Sequence, residues 1–150
     1  MKDFRFWELA LNPSLVAALG AMASSQIFKF VRAMLREGRV DLRHISDYGG
    51  FPSSHSAFAV ACAFAIGITE GYSSAAFAIG VIVAAIFIYD ILRLRPTIAQ
   101  SKKELDRLIE KGGLERIDRA PQFEAHSLTE VIAGIVWGLA CAALVCLLWP

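Results

Sequence analysis

Gly71–Tyr89, GYSSAAFAIGVIVAAIFIY, contains no charged side chain and decides the fold class. Three further stretches share this property, namely Leu9–Phe28, Ser53–Thr69 and Val131–Pro150. Each is near the roughly 20 residues that an α-helix needs to cross a bilayer. With 56% apolar residues and a mean hydropathy of +0.51, the chain is also more apolar than a soluble domain. The sequence therefore predicts an all-α, polytopic membrane protein.

A single domain with a bundle of four transmembrane helices is expected to account for all 150 residues. The expected spans cover about residues 9–31, 53–69, 73–92 and 128–149. The first span also resembles a cleavable signal peptide, because Lys2 and Arg5 precede an apolar run. Asp3 and Glu8 among the leading residues, and Pro13 early in the run, favour a span that is retained.

A juxtamembrane amphipathic helix is expected between the third and fourth spans. Pro96 is expected to end the third helix, because proline lacks the backbone N–H that a helix interior needs. Beyond it, Ile98, Leu105 and Leu108 fall on one helical face as far as Gly112. Such a helix can lie along the membrane surface. An ordinary solvated connecting helix fits the pattern equally well.

The basic residues indicate the topology of the chain. Of 15 Lys and Arg, two lie near the N-terminus, five between Lys29 and Arg43, and eight between Arg93 and Arg119. Because positively charged loops tend to stay in the cytoplasm, both basic loops are expected there and both termini outside. The net charge of +1 gives no reason to expect a nucleic acid partner.

The cysteines and histidines do not predict a metal site, and no cofactor is expected. Cys62, Cys141 and Cys146 all fall in predicted spans, with no CxxC pair and no histidine nearby. This pattern argues against a disulfide framework and against zinc. Three scattered histidines without a ligand-spaced pair argue against a histidine-ligated metal or haem.

The fourth predicted span carries Gly134 and Gly138 four residues apart. Small residues at this spacing allow two helices to approach closely. The neighbour could be another helix of the bundle or a second copy of the chain, so a homodimer stays open.

One histidine lies at the start of the second predicted span, within Pro52-Ser53-Ser54-His55-Ser56. The first turn of a helix has unsatisfied N–H groups and a partial positive charge, which together bind anions, and the serine hydroxyls add donors. Because histidine titrates near neutral pH, His55 could protonate a leaving oxygen. An incidental histidine beside a helix cap is the alternative.

A second histidine, His126, lies at the start of the last predicted span, with Glu130 four residues later. Positions i and i+4 share one helix face, so Glu130 could hold one ring nitrogen of His126 and leave the other as a nucleophile. Solvated capping by Glu130 is the alternative. Because two spans separate the histidines, both are expected on the same side as Lys29 and Arg36, which predicts a basic site at the cytoplasmic face.

Asp90 and Arg95 are expected on that same side, at the end of the third span. Asp90 could pair with an arginine that holds an anion or could bind a metal, but a structural ion pair at the end of the span is favoured. The third histidine, His44, falls in the first connector and is expected to be a solvated surface residue.

Residues 49–56, GGFPSSHS, resemble the second motif of the type-2 phosphatidic acid phosphatase superfamily, in its divergent small branch. That motif reads Pro-Ser-Gly-His, and Ser54 takes the place of the glycine. Lys29-x6-Arg36 is similar to the first motif, Lys-x6-Arg-Pro, with Glu37 instead of the proline.

His126-x3-Glu130 is similar to the third motif, Ser-Arg-x5-His-x3-Asp, with glutamate for the aspartate. The arginine of that motif should fall at Ala120, so Arg119, one residue further away, is its candidate counterpart. The resemblance covers most of residues 26–138.

This resemblance implies a metal-independent phosphohydrolase in the inner membrane of the cell, acting on a lipid phosphate or diphosphate. His126 would attack phosphorus to form a phosphohistidine, Glu130 would orient it, and His55 would protonate the leaving oxygen. The phosphate would be held by basic and hydroxyl side chains, namely Lys29, Arg36, Ser53, Ser54 and Arg119, with Asp90 and Arg95 in support. The departures from the motifs keep a second hypothesis open, a catalytically inactive protein that binds or carries lipid phosphates.

Overall fold

The computed structural model describes residues 12–37, 50–113 and 127–149. The helices are α1 (Pro13–Glu37), α2 (Ser54–Glu70), α3 (Ala75–Tyr89), a π-helical turn (Asp90–Leu94), α4 (Arg95–Lys111) and α5 (Leu128–Leu148). No strand occurs within these three ranges. The all-α prediction is confirmed for the part of the chain that the structure describes.

Three of these helical segments are long and apolar enough to cross a membrane: α1, the continuous segment from α3 to α4, and α5. The apolar helix α2 has 17 residues and is therefore about 26 Å long, somewhat less than the roughly 30 Å of a bilayer's hydrocarbon core. The chain is therefore an integral membrane protein whose described residues include three candidate membrane-spanning segments and one shorter apolar helix.

The short helix α2 lies at the centre, in contact with α1, α3 and α5. Ala57, Ala61 and Ala65 are fully buried in one cluster together with alanines of α1 and α5, whereas Ala59 and Ala63 are buried toward α3. In lipid, apolar side chains gain little from leaving the solvent, so helix association depends on close packing. The alanines of α2 allow three neighbours to approach it closely.

Gly134 and Gly138 place α5 directly against α2. A Cβ atom at Gly134 would collide with the backbone carbonyl of Ser53, and one at Gly138 with the carbonyl of Ala57. The neighbour of the glycine pair is therefore another helix of the same bundle. A second copy of the chain, the other neighbour that the sequence left open, does not occupy this contact.

A polar contact links α1 and α5 near their middles. The indole Nε1–H of Trp137 donates a hydrogen bond to the Ser24 hydroxyl at 2.9 Å, and Ser24 Oγ lies 3.7 Å from the sulfur of Cys141. The ring of Trp137 also packs against Phe28, with 5.2 Å between ring centroids. Hydrogen bonds of this kind between transmembrane helices contribute on the order of 0.6 kcal/mol each.

The prediction that Pro96 ends the third helix is wrong, because the helix continues from Ala75 to Lys111. The turn before the proline is π-helical, and the backbone N–H of Arg95 donates to the carbonyl of Asp90, five residues back. A widened turn absorbs the missing N–H of proline and relieves the clash of its ring with the preceding turn. The helix can therefore pass through Pro96.

The amphipathic helix forms where it was expected, as α4, and ends at Gly112, but it is a direct continuation of α3. The 37 residues from Ala75 to Lys111 span about 55 Å, which exceeds the thickness of a bilayer. No residue of α4 is buried, and Leu105 and Leu108 are exposed. The amphipathic helix thus extends the third span beyond the hydrocarbon region.

Candidate functional site

Two serines at the start of α2 form a hydrogen bond with each other. Ser53 is the N-cap residue, and its hydroxyl accepts hydrogen bonds from the backbone N–H of Ser56 at 3.5 Å and from the Ser56 hydroxyl at 3.0 Å. Both residues are fully buried. Their hydroxyls therefore shape the first turn of the helix, a role that sequence reasoning had not separated from ligand binding.

Ser54, the first residue of α2, is different. It is 2% exposed, and its hydroxyl oxygen has no hydrogen-bond partner within the described residues. Leaving a buried hydroxyl without a partner costs about 1–3 kcal/mol. The next residue, His55, is partly exposed. The first turn of α2 therefore combines backbone N–H groups, a hydroxyl that can still form a hydrogen bond, and an imidazole.

The C-terminal part of α1 lies against the loop that leads into α2. Gly50 has a φ of +99°, a conformation that favours glycine, and a Cβ built there would lie 4.0 Å from Cδ of Lys29. The guanidinium of Arg32 lies 5.6 Å from the ring centroid of Phe51, within range of a cation–π interaction. Two cationic side chains of α1 therefore border this loop.

Arg32 is the basic residue that the motif comparison missed. Lys29 and Arg32 are three residues apart and share a helix face, and Arg36 follows four residues later on the same face. Arg36 is exposed and lines, with Arg32, a shallow groove of about 340 Å³ on α1. Helical periodicity around Lys29 would have identified Arg32 from the sequence.

The start of α5 is joined to the start of α2 by a backbone hydrogen bond, in which the N–H of Ser53 donates to the carbonyl of Glu130 at 3.0 Å. The structure thus brings Lys29, the loop at residues 50–53 and the first turn of α5 to one end of the bundle. These segments are far apart along the chain, so this contact depends on the tertiary fold.

Glu130 also has a local role. Its carboxylate Oε2 accepts from the backbone N–H of Ser127 at 2.9 Å, and the Ser127 hydroxyl accepts from the N–H of Glu130 at 3.3 Å. This is a capping box, the alternative role that the sequence left open. Because α5 begins at Leu128, His126 precedes the N-cap residue, and helical i, i+4 spacing does not by itself pair it with Glu130.

Three of the predicted residues fall outside the described ranges, namely His126, Arg119 and His44. Their roles remain predictions. Ser127 follows His126 directly in the chain, and its backbone nitrogen lies 2.9 Å from Oε2 of Glu130.

Asp90 and Arg95 form the favoured ion pair at the end of the third span, with Nε of Arg95 donating to Oδ2 of Asp90 at 2.8 Å. The π-helical turn brings these two residues, five apart in sequence, to one side of the helix. Within the described ranges, no group of three or more His, Cys, Asp and Glu could bind a metal ion.

The arrangement at this end of the bundle suits an oxyanion. A helix N-terminus offers N–H groups and a partial positive charge, and Lys29 and Arg32 add cationic side chains beside it. The buried hydroxyl of Ser54 can complete its hydrogen bonding on an anion oxygen.

Comparison with known proteins agrees with the resemblance in the motifs. Residues 10–141 match the sequence profile DUF212, the divergent PAP2 family. One relative, "Uncharacterized membrane protein YuiD" of Bacillus subtilis (strain 168), is 28% identical over 102 residues, which are 68% of this chain and 65% of the relative. The matched region of this chain thus spans less than two thirds of that relative's length. No solved structure matches the chain.

Proposed function

Because the chain belongs to the divergent PAP2 family, we propose that it is a membrane phosphohydrolase that cleaves the phosphate ester of a lipid phosphate or the terminal phosphoanhydride of a lipid diphosphate. The observation that carries the proposal is the gathering of three segments at the start of α2. Lys29 lies against Gly50, Ser53 is bonded to Glu130, and the Ser54 hydroxyl between them is buried without a partner among the described residues.

In the proposed site, the phosphate is held at the N-terminus of α2. Backbone N–H groups, Lys29, Ser54 and the additional cation Arg32 lie nearest to it. Charge-assisted hydrogen bonds to phosphate oxygens are roughly twice as strong as neutral ones. Further contributions come from Ser53, Arg36 and Arg119, and the Asp90–Arg95 pair stabilises the end of the third span.

The proposed chemistry divides hydrolysis into two steps. A ring nitrogen of His126 attacks the terminal phosphorus, so that a P–N bond forms while the P–O bond to the departing lipid alcohol or lipid monophosphate breaks, and His55 gives a proton to the departing oxygen. Water then attacks the phosphohistidine, His55 accepts the proton of this water, and the P–N bond breaks to release inorganic phosphate. Glu130 orients His126 while it caps α5.

We further propose that α2 completes a four-span bundle with the site at the cytoplasmic face. The stretch Ser53–Thr69 is uncharged, and α2 contacts each of the three longer segments, so it lies at their depth in the membrane. Thirteen of the 15 basic residues fall between Lys29 and Arg43 or between Arg93 and Arg119, in two segments that this topology puts on one side of the membrane. Such segments are retained on the cytoplasmic side.

A second candidate function is binding or transport of lipid phosphates without turnover. The glutamate at position 130, where the third motif has aspartate, favours it. The replacement of the third-motif arginine by Ala120 points the same way.

Phosphate release by the purified full chain in the presence of EDTA separates these functions. We expect wild-type protein to hydrolyse phosphatidic acid, and vanadate to inhibit by mimicking pentacoordinate phosphorus. His126→Asn should abolish turnover and phosphoenzyme formation, whereas His44→Asn, a change outside the motifs, should leave both unchanged. Saturable vanadate binding with no turnover would establish the second function.

Two further variants assign the roles within the reaction. His55→Asn should impair cleavage of poor leaving groups far more than cleavage of an activated aryl phosphate, which needs no proton. Glu130→Gln should slow turnover by about 10²–10⁴-fold while α5 stays capped, because glutamine also forms a capping box. Full activity in His126→Asn would refute the proposed mechanism.

A further inference from the structure

An apolar groove of about 520 Å³ begins at the loop before α2 and follows α5 away from the proposed phosphate site. Its lining includes Phe51 and Pro52 at one end and Ala133, Trp137, Ala140 and Leu144 along α5. From Ala133 to Leu144 the helix rises about 16 Å, which is roughly half the thickness of the hydrocarbon core. The groove thus reaches from the site mouth toward the middle of the membrane.

The wall of this groove is apolar because the polar atoms of its lining residues contact α1 instead of the groove. The indole N–H of Trp137 donates to Ser24 at 2.9 Å, and the sulfur of Cys141 lies 3.7 Å from the same hydroxyl. The groove therefore presents hydrocarbon, an aromatic ring and a sulfur atom to its occupant. Such a lining suits an alkyl chain and offers nothing to a polar ligand.

The end of the groove formed by Phe51 and Pro52 adjoins the proposed phosphate site at the start of α2. Phe51 and Pro52 line the groove and directly precede Ser53 and the buried Ser54, while the guanidinium of Arg32 lies 5.6 Å from the Phe51 ring. Phe51 is 41% exposed, so its ring forms part of an open surface. A single molecule that bridges both regions must have an anionic head and a hydrocarbon chain.

We propose that this groove is the chain-binding subsite for the substrate, and that it holds one hydrocarbon chain of a lipid whose phosphate lies at the start of α2. The inference rests on the proposed function and adds the position of the substrate's hydrocarbon chain. A chain in the membrane is already out of water, so the groove mainly aligns the substrate, whereas for a water-soluble substrate it also adds affinity.

The test uses two exposed alanines of α5, one in the groove and one outside it. Ala140→Phe fills the groove, and Ala143→Phe adds the same ring to another part of the helix. With monomeric alkyl phosphates of increasing length, each methylene buried in the groove should raise kcat/KM of the wild-type protein by up to about fourfold.

We expect Ala140→Phe to flatten this length dependence and to lower kcat/KM for octyl phosphate at least tenfold, with hydrolysis of phenyl phosphate unchanged. Ala143→Phe should match wild type with every substrate. Equal behaviour of the two variants would overturn the groove assignment.

Photolabelling distinguishes failure of the groove from failure of the proposed function. An alkyl phosphate with a diazirine at its chain end should label α5 of the wild type and of Ala143→Phe, but not of Ala140→Phe. Octyl phosphate should compete for labelling, and neutral octanol should not. Labelling without hydrolysis would refute the catalytic function alone, whereas absent labelling or equal competition by octanol would refute the subsite.

Discussion

Gly134 provides the sharpest test of how the site is assembled, because it is the point at which α5 touches the start of α2. A Cβ atom there would overlap the carbonyl oxygen of Ser53 and come within 3.0 Å of the Cβ of Ser56. The nearest obstacle is backbone, which cannot rotate away as a flexible side chain can. Gly134→Ala must therefore push the two helices apart, and the hydrogen bond from Ser53 to Glu130 lies within this contact.

The size of the effect follows from three terms. Overpacking in a tight interface costs about 2 kcal/mol, and loss of the Ser53–Glu130 hydrogen bond costs about 1 kcal/mol. Alanine has a higher helix propensity than glycine, and this stabilises the folded protein by about 1 kcal/mol. We therefore expect Gly134→Ala to lower the free energy of unfolding by about 2 kcal/mol.

Gly20 in α1 is the matched control, because a Cβ atom there would meet no atom of the described residues outside its own helical turn within 4 Å. Gly20→Ala should gain about 1 kcal/mol from helix propensity alone. The two variants should then differ by about 3 kcal/mol, on the order of a hundredfold in the folding equilibrium.

Unfolding can be followed in mixed micelles by tryptophan fluorescence as the fraction of denaturing detergent rises. Vanadate affinity measured on the folded protein reports the same perturbation at the site, and it should weaken in Gly134→Ala and not in Gly20→Ala. Equal stability of the two variants, together with unchanged vanadate affinity, would refute the proposed contact between α5 and the start of α2.

Two further predictions concern the buried serine and the topology. Ser54→Ala should raise the free energy of unfolding by about 1 kcal/mol, because it removes a buried hydroxyl that has no partner among the described residues, and it should weaken vanadate binding about tenfold or more. Ser53→Ala should instead destabilise the protein by about 1 kcal/mol through loss of the helix cap, and lower stability of Ser54→Ala would contradict this interpretation. In a background without native cysteines, a membrane-impermeant maleimide added to intact cells should label Ser74→Cys and not Lys103→Cys, and the reverse pattern would place the site outside.

The sequence by itself was sufficient for the fold class, the family and the approximate helices. Stretches without charge, such as Gly71–Tyr89, must be helical in lipid because every backbone polar group needs an internal partner there. This requirement is local, so composition and length reveal it without knowledge of the neighbours. A serine cap at the start of α2 was likewise predictable, since either Ser53 or Ser54 could fill that position, and the structure shows that Ser53 does.

Features that depend on the hydrogen bonding of one helical turn were predicted wrongly or left open by the sequence. Pro96 indicated a helix end by its missing N–H, yet one π-helical turn before it keeps the helix continuous. Glu130 was recognised as either an orienting or a capping carboxylate; the structure shows the capping box, and the orienting role toward His126 stays a prediction. Residue type alone determines neither the hydrogen bonding of the turn before Pro96 nor the residue at which α5 begins.

The tertiary structure decided which segments meet. The sequence marked Gly134 as a point of close approach, but only the packed bundle shows that its neighbour is the carbonyl of Ser53, about 80 residues earlier in the chain. The same packing brings Lys29 to Gly50 and buries the Ser54 hydroxyl between the helices. Such contacts arise from the complementary shapes of small residues on facing helices, which sequence periodicity does not encode because it describes each helix separately.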